Sequence, residues 1–236
     1  MNAHRILGAN DREQVRQAIA RAEAGTRSEM VCALATESGH YDRADSVFGL
    51  FVAIVFLIGV QWLHDSALVT SGQWGGEGLH VAWQALSVVV GFVLGSLLCQ
   101  HVHPLRRLLV SERQMGRNAE RAAAHVFMLA DVAGTRERVG LLIYVSLFEH
   151  RIVILADERA REALGDEGIA KLRDVAVADL RQGQVARALI DVIEQAAVPL
   201  AKALPDERTL TEREIDDHLI VFHPRPLEAN RRGGSR

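Results

Sequence analysis

Apolar positions near the start of the chain recur at helical spacing, at Val15, Ala18, Ile19 and Ala22. Asn10 fits an N-cap, Glu13 three residues on completes a capping-box pattern, and Gly25 is a C-terminal stop. Together they predict a helix over 11–24. Residues 29–36 (EMVCALAT) form a short apolar run that reads as a buried strand. Two longer apolar stretches follow, at 47–63 and at about 81–102, the second densest over 85–99. At 1.5 Å per residue, about 17 to 20 residues cross most of a hydrocarbon core. Neither stretch carries the polar stripe of a soluble core helix, so both predict transmembrane helices that form a hairpin.

Past the hairpin, Met115, Ala119, Ala122, Ala123, Val126 and Leu129 mark one side of a helix over 111–131. It would continue the second membrane helix as one rod unless Pro104 breaks it. Runs at 139–147 (VGLLIYVSL) and 151–156 (RIVILA) flank Phe148-Glu149-His150, which predicts a tight hairpin. Both runs are nearly continuous in apolar residues, so helices should cover both faces of the sheet. Helical patterns then occupy 158–164, 167–182 and 184–203, punctuated by Gly165 and Gly183 and ended by Pro205. Thr211 and Glu214 suggest a short final helix, and a tail rich in Pro, Gly and Arg reads as disordered. The strand before the membrane cannot form a sheet alone. One cytoplasmic α/β domain is therefore expected, split as 1–45 and 104–222, with the hairpin at 46–103 and the tail at 223–236.

Charge sets the expected topology. No Lys or Arg occurs between Arg43 and Arg106, whereas Arg21, Arg27 and Arg43 precede the first helix and Arg106, Arg107, Arg113 and Arg117 follow the second. The positive-inside rule puts both termini in the cytoplasm and the 64–80 loop outside. The expected location is the inner (cytoplasmic) membrane, crossed twice. The late start of the first apolar run argues against a cleaved signal peptide. Trp62 and Trp83 fall at the outer helix ends, and Trp74 in the Gly-rich loop between. Gly59, Gly91 and Gly95 would let the helices approach closely, the last two as a GxxxG pattern. His64, His80, His101 and His103 read as interfacial residues rather than metal ligands.

The 236 residues carry 27 basic and 30 acidic side chains, with aromatics at 5%. That balance argues against a nucleic-acid partner. Cys32 and Cys99 make neither a disulfide framework nor a zinc cluster, and read as buried apolar side chains. The basic residues after the second helix suit anionic headgroups. No P-loop, dinucleotide fingerprint, zinc-hydrolase helix or nucleophile elbow is present.

The segment 135–157 (TRERVGLLIYVSLFEHRIVILAD) resembles the central hairpin of the TPM domain, roughly "T..R.GvLi.vSl.Er.v.I.aD". Residues 26–44 are similar to that family's first strand, with Glu29 at its start and Ser38 and Tyr41 after it. Residues 180–205 resemble its closing helix, ending in Leu204-Pro205 where the family has Phe-Pro. Residues 209–222 look like the acidic-apolar tail of membrane-bound members. The chain departs from the pattern at Glu149-His150-Arg151, where Glu-Arg-Arg is usual. It departs again at Glu158-Arg159, where Gly-Ile is common, and near Lys171 and Leu172, where a Trp is common. The resemblance implies an α/β sandwich with a small mixed sheet covered by helices, here interrupted by a two-helix transmembrane hairpin. Plant relatives are associated with acid phosphatase activity and photosystem repair, an animal relative with a receptor channel. Phosphatase activity is thus implied by resemblance alone.

A phosphatase needs an anion cradle plus a metal or a nucleophile. Carboxylates at strand ends could hold Ca²⁺ or Mg²⁺. Glu29 and Asp157 are the candidates for both catalysis and metal binding. Asp166, beside Glu167, joins them as a metal ligand, and Arg136 joins them as a phosphate fork. The competing structural reading makes Asp157 the cap of a helix at Glu158 and Asp166 or Glu167 the cap of the next. It leaves Arg136 solvated, Glu149 in an exposed turn, and Tyr144 and Ser146 as ordinary strand residues. The function expected is a membrane-tethered TPM-domain accessory or interaction protein, with the bilayer and a membrane protein as partners. The alternative is a weak metal-assisted phosphatase at the cytoplasmic face.

Overall fold

The structure is a computed structural model and describes residues 2–70, 79–132, 135, 138–205 and 219–226. Contacts divide the chain into two units. One comprises Met1–Gly39 with Arg113–Arg236, and the other His40–Glu112. The second lies in sequence between the two parts of the first.

The first unit is built on a mixed sheet of β1 (Glu29–Ala35), β2 (Gly140–Ser146), β3 (Arg151–Ala156) and β4 (Leu219–Phe222), in the order β3-β2-β1-β4. β1 runs parallel to both β2 and β4, and β2 and β3 form an antiparallel hairpin. All seven residues of β1 and all seven of β2 are buried. That burial explains the unbroken apolar runs, because a strand covered on both faces needs no polar alternation. Met30, Cys32 and Leu34 with Leu141, Ile143 and Val145 face one core. It is completed by α2 (Ala9–Glu23), α7 (Glu158–Arg181) and α8 (Val185–Ala203). Val31, Ala33 and Ala35 with Leu142 and Tyr144 face the other, closed by Ala122, Ala123 and Val126 of α6 (Glu112–Leu129).

Several expectations shift. α2 starts at Ala9, with Gly8 at the N-cap, and not after Asn10. The reason is local: the Asp11 carboxylate accepts from the Gly8 N–H at 3.2 Å. A four-residue helix, α1 (Ala3–Ile6), precedes it. The two helical patterns at 158–182 are one span with a break at Gly165, whose φ of 68° is outside the helical region. β4 was not foreseen; 209–222 read as a tail, and its last four residues pair with β1. Thr211 and Glu214 lie outside the described residues. Residues 223–226, assigned from sequence to the tail, are held: Glu37 N–H donates to Pro224 O at 3.1 Å, and Arg225 lies 2.9 Å from Glu37 Oε1.

The second unit contains α3 (Asp42–Thr70), α4 (Val81–His101) and α5 (His103–Leu109). α3 and α4 pack antiparallel. A Cβ at Gly91 would stand 2.8 Å from Ala53 Cα, and one at Gly95 2.6 Å from Val52 Cβ. These two glycines are therefore what permits the close approach. Gly59 is a correction, since a Cβ there meets nothing within 4 Å; Gly49, against Ser96, takes its place at the interface. Both helices are long and apolar enough to cross a membrane, yet only 11% and 17% of their apolar windows are buried. Trp62 and Trp83 are exposed near the same end of the pair. His80 caps α4, accepting from Ala82 N–H at 3.2 Å. Of the two outcomes left open, one rod or a break at Pro104, the structure shows the break: Val102 leaves helical geometry and Pro104 stands in the first turn of α5. Cys32 and Cys99 are free and buried, as expected.

Candidate functional site

The sheet has two polar ends. At the first, Glu29 pairs in register with Gly140, and Gly140 O accepts from Asp157 N–H at 2.8 Å. Glu29 and Asp157 thus lie at one end of the sheet with β2 between them. Two strand spacings separate their backbones, about 10 Å. Glu29 is buried. Asp157 is the N-cap of α7, one carboxylate oxygen accepting from Glu158 N–H at 2.8 Å, while its buried Oδ2 has no hydrogen-bond partner among the described residues. Asp166 does not join them; it is exposed and pairs with Arg161 at 2.8 Å. The competing reading, in which Asp166 or Glu167 caps a helix after Gly165, meets instead one helical span broken at Gly165, with the Asp166 carboxylate paired to Arg161. Arg136 lies outside the described residues. Among the described residues, no group of three or more His, Cys, Asp or Glu side chains is placed to hold a metal.

The other end carries the denser polar structure. Here the carboxyl ends of the parallel strands β1, β2 and β4 come together, the place where open α/β sheets present ligand sites. Thr36, Glu37 and Ser38 leave β1 and tie to three different elements. Thr36 Oγ1 accepts from Ala3 N–H at 3.0 Å and lies 2.9 Å from His223 Nδ1. Glu37 pairs with Arg225, both about nine-tenths buried. Ser38 joins a buried network with Tyr144, Ser146 and Glu149.

Hydrogen counting fixes the direction of that network. Ser38 N–H donates to Glu149 Oε1 at 2.8 Å, and Ser146 Oγ donates to Glu149 Oε2. Ser38 Oγ donates to Ser146 Oγ at 2.6 Å. The single hydroxyl hydrogen of Ser38 is thereby used, so Tyr144 must be the donor across the 2.8 Å Tyr144–Ser38 contact. A relay runs from phenol to serine to serine to carboxylate. Burial pushes the Tyr144 phenol up in pKa, and the Glu149 charge adds to this. The phenol therefore stays protonated, as its donor role requires. All four side chains are at most 2% exposed. Both serines are buried, and the network ties the end of β1 to the β2–β3 hairpin.

Glu149 is a plain correction. A turn residue was expected to be exposed, and it is 1% exposed. Its partner Ser38 lies 111 positions away, beyond the reach of local reading. A signal was nevertheless present. Tyr144 and Ser146 share one strand face at the end of an apolar run, and buried hydroxyls need partners. Tyr41, named with Ser38 by the resemblance, lies instead in the second unit, with Arg106 Cζ 5.6 Å from its ring centroid.

Comparison with known proteins shows a partial likeness. Residues 103–198 match the family model described as "TPM domain" (TPM_phosphatase). No curated protein matches. Among solved structures, the chain is similar to the NMR structure of BA42 protein from the psychrophilic bacterium Bizionia argentinensis. Identity is 16% and the TM-score 0.54, over 92% of this chain and 95% of that one. At that identity the likeness concerns the fold. β1 lies outside the family match yet pairs with β2 inside it.

Proposed function

We infer that this is a membrane-tethered TPM-domain protein, anchored by α3 and α4, that serves as an accessory or interaction protein for a membrane or envelope complex. One observation carries the tether. A soluble core helix is mostly buried and a signal sequence sits at the N-terminus, but α3 and α4 are largely exposed and lie in mid-chain. Exposed Val, Leu, Ile and Phe side chains along both helices call for an apolar surrounding. The lack of Lys and Arg between Arg43 and Arg106 supports an inner-membrane location with both termini cytoplasmic. The interaction role draws on the closed polar network, which offers neither an accessible nucleophile nor an open acid–base pair. Alkaline carbonate extraction tests the tether: the protein should stay in the membrane pellet, and release would overturn it. A partner that co-purifies in mild detergent supports the interaction role; a lone monomer counts against it.

The alternative, a metal-assisted phosphatase at the cytoplasmic face, draws on Glu29 and on Asp157 Oδ2, which has no partner among the described residues, at one end of the sheet. Its test is phosphomonoester hydrolysis by the purified protein with Mg²⁺, Ca²⁺ or Mn²⁺. Activity lost in both Glu29→Ala and Asp157→Ala, with the fold intact, would establish it. No hydrolysis above background, or activity that both variants retain, would remove it.

A further inference from the structure

Arg106 was expected to face anionic headgroups, but it is buried. Its Nε lies 3.2 Å from Asp45 Oδ1, with both side chains about a tenth exposed, and its guanidinium sits beside the Tyr41 ring. This inward turn has a consequence for α5. The helix is set off from α4 by Val102 and ends at Val110, and it packs back on both α3 and α4. The pair ties it to the first turn of α3. Among its described side chains, the exposed ones are apolar: Leu108 is 82% exposed and Leu109 41%.

We propose that α5 is an interfacial foot, held by the Asp45–Arg106 pair, whose Leu108 and Leu109 insert into the lipid leaflet at the end of the hairpin where α3 begins. The proposal rests on the membrane reading above. Continuity favours lipid as the occupant. A single residue, Val102, separates α5 from a helix whose last turns expose Leu97 and Leu98. A seven-residue helix is also too small for a stable protein partner, which needs about 800 Å² per side. An apolar surface edged by Arg107 suits the boundary between acyl chains and anionic headgroups.

The test is collision accessibility of nitroxide labels in full-length protein. The background is Cys32→Ser/Cys99→Ser, and the vesicles contain phosphatidylethanolamine and phosphatidylglycerol. Labels go at Leu108→Cys, at Leu94→Cys in mid-α4, and at Lys202→Cys on the exposed side of α8. The expected result is a Leu108 label open to oxygen and shielded from an aqueous nickel chelate, like the Leu94 label and unlike the Lys202 label. An immersed Leu94 label with a chelate-accessible Leu108 label overturns the foot and spares the membrane reading. A Leu94 label as chelate-accessible as Lys202 overturns both. A Leu108 label closed to both reagents indicates a protein cover and also overturns the foot. Arg106→Gln should increase the mobility of the Leu108 label; an unchanged spectrum would overturn the role given to the ion pair.

Discussion

Glu149 accepts two hydrogen bonds at the end of the relay, whereas Tyr144 begins it as a donor. That asymmetry predicts unequal costs. Glu149→Ala strands the Ser38 N–H and the Ser146 hydroxyl without an acceptor, at about 1–3 kcal/mol for each buried orphan. Tyr144→Phe removes one donor and leaves no hydrogen stranded, at about 0.5–1.5 kcal/mol. Denaturant titration of the purified protein should rank Glu149→Ala well below Tyr144→Phe; the reverse order would contradict the assigned direction. The phenol also predicts an alkaline limit. Its pKa is raised in the fold from an ordinary 10.0, so its contribution is fully present below pH 10 and lost as pH climbs beyond. Burial, with Glu23 nearby, raises the Cys32 thiol from 9.0 in the same sense. Tyr144→Phe should show a smaller loss of stability above pH 10 than wild type. This network was the part of the candidate site least legible in the sequence. Each bond to Ser38 spans more than a hundred residues, with the second unit between.

At the scale of elements, the strongest periodicities were read well. β1, β2, β3 and the helix faces of α2, α6 and α8 follow from apolar runs and helical spacing alone, except that Leu129 at the end of α6 is 45% exposed. β4 escaped because four residues carry no period of their own; only the register against Cys32 to Ala35 makes Leu219 to Phe222 a strand. The start of α2 was misplaced because Gly8 gains its cap from Asp11, two residues inside the helix and not from its own side chain. Close packing of α3 on α4 yields a paired prediction. Gly95→Val would push a branched side chain onto Val52 and the Gly49 backbone, and overpacking of this kind typically costs about 1–3 kcal/mol. Gly59→Ala meets open space and should be neutral or slightly favourable. Thermal melting of the detergent-solubilised variants, followed by circular dichroism, separates the two; equal melting points would argue that α3 and α4 do not pack through this seam.

For the whole molecule, one chain alternates between two kinds of unit. The first buries an apolar sheet between helices, and the second leaves its apolar residues outward. Apolar exposure on that scale is stable only in an apolar surrounding, which is what the proposed membrane tether supplies. Substituted-cysteine labelling in spheroplasts tests it most directly, in the Cys32→Ser/Cys99→Ser background with an impermeant maleimide added from outside. Trp74→Cys should label in intact spheroplasts, while Lys202→Cys should label only after lysis. Labelling of Lys202→Cys from outside, or of Trp74→Cys only after lysis, would contradict the account.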